Sequence, residues 1–579
     1  VRVGPGVFHN TSVAYLPAGR KDRRDRGDPS HASTLVATLL DVVAGGVDTN
    51  GGPVTAERDG APEAAPLDAP ERRQLDVLRR WGTVGALLLA VGSLGSGAAP
   101  VLSPLPGTPV LGLFVRMPSV AMGMAFTGIF MIVSAWLWLG RFVRPGRPRL
   151  ASRSQIDRTL LMWLMPLVFV LPMFSRDVYS YLAQSEIAAR GEDPYTLGPA
   201  TALGVDHQLT KNVPNIWRET PAPYGPLFLV GGRLIAMMTG DHVLAGVFLH
   251  RMLALVGLAL IVWALPRLAR RFGVPPVGAL WLGALNPLVL FHIVVGVHND
   301  GLAIGLMLVG LELALRKMPV PGSGSPPMTR DELLWISIGA GTIMLGAMVK
   351  IPAVLALGFL GVMIARRLGG RFSDLVRAAA LMTVIAAVVM VVTCLGTGLG
   401  FGWLSTLNVA STVKSWMSPP TAIGFLAGGL GILLQLGNHT ESTIALARIF
   451  SQVVSVLIVG TLLWKSFRGR IKAVNGLGAG LGAVLVLGPV LQPWYVLWAA
   501  LPLATAVVAR RFRVFAMTTS AVIAIILPPT GSAFDGRAYI VPQAVTGAVV
   551  AFIVCAFLAR KQLAPFLRPD PVPSAAAYR

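Results

Sequence analysis

The sequence predicts an all-α fold, a polytopic transmembrane helical bundle of about 13–14 spans at roughly 20 residues each. Three observations predict it. Hydrophobic residues make up 54% of the chain and charged residues only 13%, about half the charge of an ordinary soluble domain. Mean hydropathy is +0.67. Apolar runs recur from Trp81 to Ala559, and basic clusters punctuate them. The net charge of +22, from 49 basic and 27 acidic residues, fits that pattern, because Lys and Arg are retained in short cytoplasmic loops. Membrane lipids are therefore the expected surroundings, and nucleic acid is not an expected partner. Cys394 and Cys555 both fall inside apolar runs, so neither a disulfide nor a metal–thiolate site is expected.

Residues 1–75 differ from the rest. They are rich in Gly, Pro, Asp and Arg, as in Arg20 to Arg26, and carry no sustained apolar period. A disordered N-terminal segment is expected there. Because the chain opens on Val1 rather than Met, part of it reads as a start-site artefact or as a poorly structured cytoplasmic tail. Residues 76–562 are expected to form the membrane domain, and residues 563–579 a C-terminal tail. The first two spans read as Trp81–Leu102 and Val120–Gly140. The connection 141–158 then sets Arg141, Arg144, Arg147, Arg149, Arg153 and Arg158 against Asp157 alone. This is the clearest positive-inside signal, so the segment is assigned to the cytoplasm. Thr159–Phe174 then runs outward, and the loop 175–226 lies on the extracytoplasmic side. Later basic clusters, such as Arg366 with Arg367 and Arg510 with Arg511, keep this orientation if Leu227–Gly240 and Thr421–Leu436 are re-entrant. Non-helical backbone at depth is tolerated where protein covers it.

The loop 175–226 carries the densest polar chemistry between any two apolar segments, including Arg176, Asp177, Glu186, Asp193 and Glu219. Asp177 lies just past a span. It reads as the N-cap of an amphipathic helix or as a general base at the membrane–water boundary, and spacing alone leaves both open. Arg176 is an interfacial anchor or a phosphate partner. Tyr195, after Asp193, and Tyr224 sit in turn-like sequences, where their rings pack or line a carbohydrate site. Lys350 lies in an apolar run, where a cation implies a partner or snorkelling. Lys414, between Trp403 and Trp416, reads similarly. His298, Asn299 and Asp300 lack metal-ligand spacing and suit hydrogen bonding or capping. Gln492 and Trp494 belong to an outer aromatic belt or to the site. The sequence has no Walker A loop, no dinucleotide-binding glycine pattern and no Gly-x-Ser-x-Gly elbow, which argues against an ATP-driven pump. No cofactor is required by the sequence, and nothing in it supports a divalent cation.

The stretches Ser175–Gln184, Asp193–Tyr195, Trp217–Pro226, Ala284–Pro287, His298–Asn299, Ser415–Pro420 and Gln492–Tyr495 together resemble the actinobacterial polyprenol-phosphomannose-dependent α-1,6-mannosyltransferases. The resemblance runs from about residue 75 to 560. It implies a GT-C glycosyltransferase fold with an extracytoplasmic catalytic loop. It also implies a polyprenyl phosphomannose donor and a lipid-anchored mannan acceptor, the α-1,6 core of lipomannan and lipoarabinomannan. On this resemblance Asp177 is the base. Arg176, Lys350 and Lys414 hold the donor phosphate. Tyr181, Glu186, Asp193, Tyr195, Tyr224, His298, Asn299, Asp300, Trp416, Gln492 and Trp494 line the acceptor and sugar site. No metal site is implied. Two alternatives stay open: a lipid-linked sugar flippase or transporter, and a GT-C enzyme using another sugar such as arabinose.

Overall fold

The computed structural model describes residues 64–319, 327–412, 414–415, 417–531 and 537–567. The architecture is helical almost throughout. The strands among the described residues are two dipeptides, Ala65–Pro66 and Arg149–Leu150, paired in parallel. Helical structure is thus present before the expected boundary at residue 75. Asp68 caps the first long helix, Ala69–Ser96, in a capping box with Glu71. Two of the arginines expected merely to mark a cytoplasmic loop hold this segment: Arg147 pairs with Glu71 at 2.5 Å and Arg149 with Asp68 at 2.9 Å. The tail boundary at 563 also moves. A helix runs Arg560–Leu567 with Leu563 and Phe566 buried, and the Arg141 guanidinium donates to the carbonyls of Pro565 and Phe566.

Seven described helices are long and apolar enough to cross a bilayer, and an eighth candidate is the bent pair Val289–Val295 and Asp300–Leu315. The apolar segments counted as 13–14 spans from the sequence thus differ in length. Several apolar runs fold as half-length helices, among them Pro226–Thr239, Pro419–Leu433, Ala473–Val486 and Pro493–Ala504. A run of 14 residues reaches about 21 Å at 1.5 Å per residue, short of a hydrocarbon core of roughly 30 Å. The two segments read as re-entrant are among these short helices.

Three packing features place the centre of the molecule. Val243–Phe272 lies against Asp300–Leu315 closely enough that a Cβ on Gly305 would sit 2.7 Å from the Gly257 carbonyl, the kind of approach small residues permit between membrane helices. The turn at Pro223–Pro226 runs beside Met348–Val349: the Gly225 and Leu227 amides donate to the Val349 and Met348 carbonyls at 3.3 and 3.1 Å. Any side chain at Gly225 would collide with the Met348 backbone, so the turn requires glycine there. Finally, Ser415, Ser418 and Thr421 bond to the carbonyls of Leu491, Gly488 and Pro489, tying the start of one short helix to the segment leading into Pro493–Tyr495.

Candidate active site

The helix Arg153–Leu167 ends beyond its internal Pro166, and an extended segment leads to the helix Asp177–Ala189. Asp177 is the first helical residue. The N-cap position belongs to Arg176, which makes no side-chain cap, and Ser175 Oγ accepts from the Asp177 amide at 3.0 Å. The capping role is thereby excluded for Asp177. Its side chain is 32% exposed, and its carboxylate accepts no hydrogen bond from the described residues.

Facing Asp177 is the break between Val289–Val295 and Asp300–Leu315, a bend of 112°. Val297 adopts φ 57° within it, and Phe174, three residues before Asp177, adopts φ 67°. Positive φ is rare for non-glycine residues and a true outlier for a β-branched one. Both strained positions thus flank the same cleft. His298 is fully buried. Its Nδ1 lies 2.7 Å from the His292 carbonyl and donates to it, which assigns Nε2 as an acceptor in the neutral ring. That Nε2 lies 3.7 Å from Asp177 Oδ2 and has no hydrogen-bond partner. The separation exceeds a hydrogen bond. Two acceptors facing one another across it call for donors between them, such as sugar hydroxyls. The imidazole is held by stacking on Trp494, with centroids 3.7 Å apart.

Asp300 is buried with complete satisfaction. Lys350 Nζ donates to Oδ2 at 2.7 Å, Trp494 Nε1 to Oδ2 at 3.1 Å and Trp498 Nε1 to Oδ1 at 2.7 Å. Trp494 therefore orders both the His298 ring and the Asp300 carboxylate. Lys350 immediately precedes the span Ile351–Leu368 and keeps 18% side-chain exposure. The Tyr495 ring lies 4.9 Å from its ammonium. Burial works to lower the Lys350 pKa, but Asp300, with smaller contributions from Tyr495 and Asp177, outweighs it and holds the ammonium above ordinary lysine. One of its three N–H donors is on Asp300 and a second is on the Tyr495 side chain, which leaves one for a ligand oxygen. Tyr181 hydrogen-bonds to the Asn299 backbone and to Tyr224. Asn299 occupies the N-cap of its helix without capping it, and both atoms of its buried amide lack partners. A cavity of roughly 10 Å³ lined by His250, His298, Asn299 and Tyr181 has room for about one water.

The structure thus gathers Asp177, Tyr181, Tyr224, His298, Asn299, Asp300, Lys350 and Trp494. Other expected members lie elsewhere. The Arg176 guanidinium turns to the Asn212 carbonyl at 3.0 Å and lies over the Tyr179 ring, which occupies it in packing the loop. Glu186 pairs with Arg190 at 2.9 Å, about 13 Å along the helix from Asp177 at 1.5 Å per residue. Asp193 caps its own turn by accepting from the Tyr195 amide at 2.9 Å. Tyr195 is buried, and a Cβ on Gly402 would lie 2.8 Å from its side chain, so its ring fills a packing position. Lys414 pairs with Glu441. Gln492 contributes its backbone, as N-cap of Pro493–Tyr495. Trp416 lies outside the described residues. No group of three or more His, Cys, Asp or Glu that could hold a metal occurs among the described residues.

Three residues were not singled out from the sequence. Trp498 and Tyr495 read as an aromatic belt until their contacts with Asp300 and Lys350 are seen. Arg251 sits inside the span Val243–Phe272 and is 2% exposed. It donates to the Val294 carbonyl at 3.1 Å and to the Val168 carbonyl at 2.8 Å. It thereby ties the segment leading to Asp177 to the helix leading to His298, and satisfies carbonyls near two helix ends. The signal was the His250–Arg251 pair within an otherwise apolar run, since an intramembrane cation points to a role by default.

The chain is similar to known proteins over most of its length. Residues 79–366 match the family model described as alpha-(1->6)-mannopyranosyltransferase, N-terminal domain, and residues 420–557 match the MptB C-terminal domain. A Mycolicibacterium smegmatis protein described as a probable alpha-(1->6)-mannopyranosyltransferase is 44% identical over 88% of this chain and 93% of its own length. An alpha-(1->6)-mannopyranosyltransferase of Mycobacterium tuberculosis is 42% identical over 85% of this chain and 89% of its own. Among solved structures, the Archaeoglobus fulgidus oligosaccharyltransferase aligns with a TM-score of 0.34 and 11% identity over 70% of this chain and 55% of its own.

Proposed function

Since the chain belongs to the alpha-(1->6)-mannopyranosyltransferase family, and so is a membrane glycosyltransferase, we propose that Asp177 is its general base. On this reading the donor is a polyprenyl phosphomannose. The acceptor is the 6-hydroxyl of a lipid-anchored α-1,6-mannan, and transfer takes place on the extracytoplasmic face. The observation that carries the proposal is the Asp177 carboxylate itself: partly exposed, at a helix start, free of capping duty and opposite the bare Nε2 of His298 at 3.7 Å.

The reaction balances with these groups. Asp177 takes the proton of the acceptor hydroxyl as its oxygen attacks the anomeric carbon. The bond to the phosphate oxygen breaks, and the polyprenyl phosphate leaves with that electron pair. A β-linked donor giving an α product inverts the carbon, which calls for one base and no covalent sugar–enzyme intermediate. Lys350 meets the departing phosphate; of the other two cations expected to do so, Arg176 donates to the Asn212 carbonyl and Lys414 pairs with Glu441. His298 accepts from a neighbouring sugar hydroxyl, and the Asn299 amide offers both a donor and an acceptor. The donor bond supplies the free energy, so no nucleotide is consumed.

The test is transfer from β-mannosyl phosphoryl polyprenol by the purified protein, with the new linkage assigned by NMR. An α-1,6-linked product supports the reading. Retention of the β configuration, or translocation of the donor across a vesicle without transfer, would overturn it.

A further inference from the structure

The small cavity beside His298 and Asn299 has a second histidine in its wall. Tyr181 reaches it from the helix Asp177–Ala189, Phe228 from Pro226–Thr239 and His250 from Val243–Phe272, while Val297, His298 and Asn299 come from the turn in the broken helix. His250 is 3% exposed. The Tyr181 and Phe228 rings each lie 6.2 Å from its ring, centroid to centroid, so aromatic packing fixes where the imidazole sits. Its Nδ1 lies 2.9 Å from the Gly246 carbonyl, one turn earlier, and donates to it. Nε2 is then an acceptor in the neutral ring, and it has no partner among the described residues. The Asn299 amide, 3% exposed, is unpartnered at both atoms. Leaving a buried polar group without a hydrogen bond is costly, and these two residues line one cavity. At roughly 10 Å³ it has room for about one water, which polar walls retain and apolar walls of the same size do not.

We infer that His250 is a positioning residue for sugar transfer, acting through one ordered water that donates to its Nε2 and bonds the Asn299 amide. The inference rests on the reading of the Asn299 amide as a sugar contact and adds what orients that amide. The amide has two hydrogens and an acceptor oxygen. The water takes one of these, and the rest face a sugar hydroxyl. The terminal torsion of asparagine is broad and nearly two-fold, so without that bond the donor and the acceptor can exchange places. His250 thereby decides which end of the amide the sugar meets. The other neighbour of Nε2 is Ser185. Its hydroxyl is buried and unpartnered, and a Cβ on Gly232 would lie 2.0 Å from that oxygen and 3.5 Å from His250 Nε2. Ser185 does not line the cavity, so its hydroxyl and the water compete for the imidazole, and the test separates them.

The test begins with the water. A cryo-EM map of the full-length protein in nanodiscs, at a resolution that shows ordered water, should place one within about 3.2 Å of both His250 Nε2 and the Asn299 amide. His250→Phe should remove it. A dry cavity, or a direct Ser185 bond to Nε2 with no water, would overturn the inference. In transfer assays His250→Phe should lower kcat by about ten-fold or more, as when a contact to the reacting sugar is misplaced, and leave the donor KM unchanged. His250→Gln keeps an acceptor near the Nε2 position and should recover most of the rate. Ser185→Ala should transfer at the wild-type rate, and a loss matching that of His250→Phe would overturn the inference. In an Asn299→Ala background, His250→Phe should cost little more. Losses that simply multiply would mark His250 as a packing residue and overturn it as well, as would an unchanged kcat in His250→Phe. Because the map needs no turnover, failure of the transfer chemistry would leave the water to decide the role of His250.

Discussion

Replacing Asp300 by Asn tests whether the buried centre of the site is held by its charge. Asp300 is inaccessible to solvent and accepts from Lys350, Trp494 and Trp498. Asparagine keeps the shape but presents one oxygen and an NH2 group, so at least one of the three donors loses its acceptor. The Lys350 ammonium then stays largely buried without a counter-charge. Removing one partner of a buried pair costs about 3–5 kcal/mol. The 18% exposure of Lys350 allows some rehydration, which places the expected loss near 3 kcal/mol. The double variant Asp300→Asn with Lys350→Met removes the stranded charge as well. It should be more stable than the sum of the single losses predicts, by about 1–3 kcal/mol of coupling. Thermal unfolding of all four proteins in one detergent, with donor binding measured in parallel, reads both effects. An Asp300→Asn protein as stable as wild type, or strict additivity in the cycle, would refute the reasoning.

Further predictions concern residues around this centre. Arg251→Met leaves the Val168 and Val294 carbonyls without their donor, at about 1–3 kcal/mol each. It should lower kcat more than it raises KM, with partial recovery in Arg251→Lys; an unchanged kcat would contradict its role as a brace. Because Lys350 in the folded protein lies above its unfolded value of about 10.4, the stability from its pair is complete below that pH and is lost only as pH rises through the higher folded value. Donor affinity should therefore carry no lysine ionisation between about pH 6 and 9, and a titration in that window abolished by Lys350→Arg would contradict this. Glu186→Gln and Lys414→Ala break pairs away from the cleft and should keep stability within about 0.5 kcal/mol of wild type. Both should transfer at near-normal rates, and a collapse of turnover in either would return that residue to the site.

The helical membrane fold was legible because composition and apolar runs are direct consequences of a hydrocarbon surround. The number of full spans was less so: a hydropathy pattern does not distinguish a full crossing from a half-length helix such as Pro226–Thr239. In the site, Asp177, Lys350 and His298 could be read because each places a polar group at the edge of an apolar segment. Their mutual arrangement could not. Asp300 meets Lys350 and Trp498 across 50 and 198 positions of sequence, and nothing local encodes those contacts. The outlying candidates have local explanations visible only with coordinates: Glu186 is satisfied by Arg190 one turn away, and Asp193 by its own turn. Arg251 was passed over because the sequence shows only a cation within the apolar run Val243–Phe272, and the Val168 and Val294 carbonyls that it reaches are distant in the chain.

The central claim is that Asp177 removes the acceptor proton. Its most direct test compares wild type and Asp177→Asn in one detergent, measuring mannose transfer from synthetic polyprenyl phosphomannose to a short α-1,6-dimannoside. Wild type should transfer mannose and the variant should be slower by about 10²–10⁴, with donor binding and thermal stability preserved. Equal rates in the two proteins would contradict it.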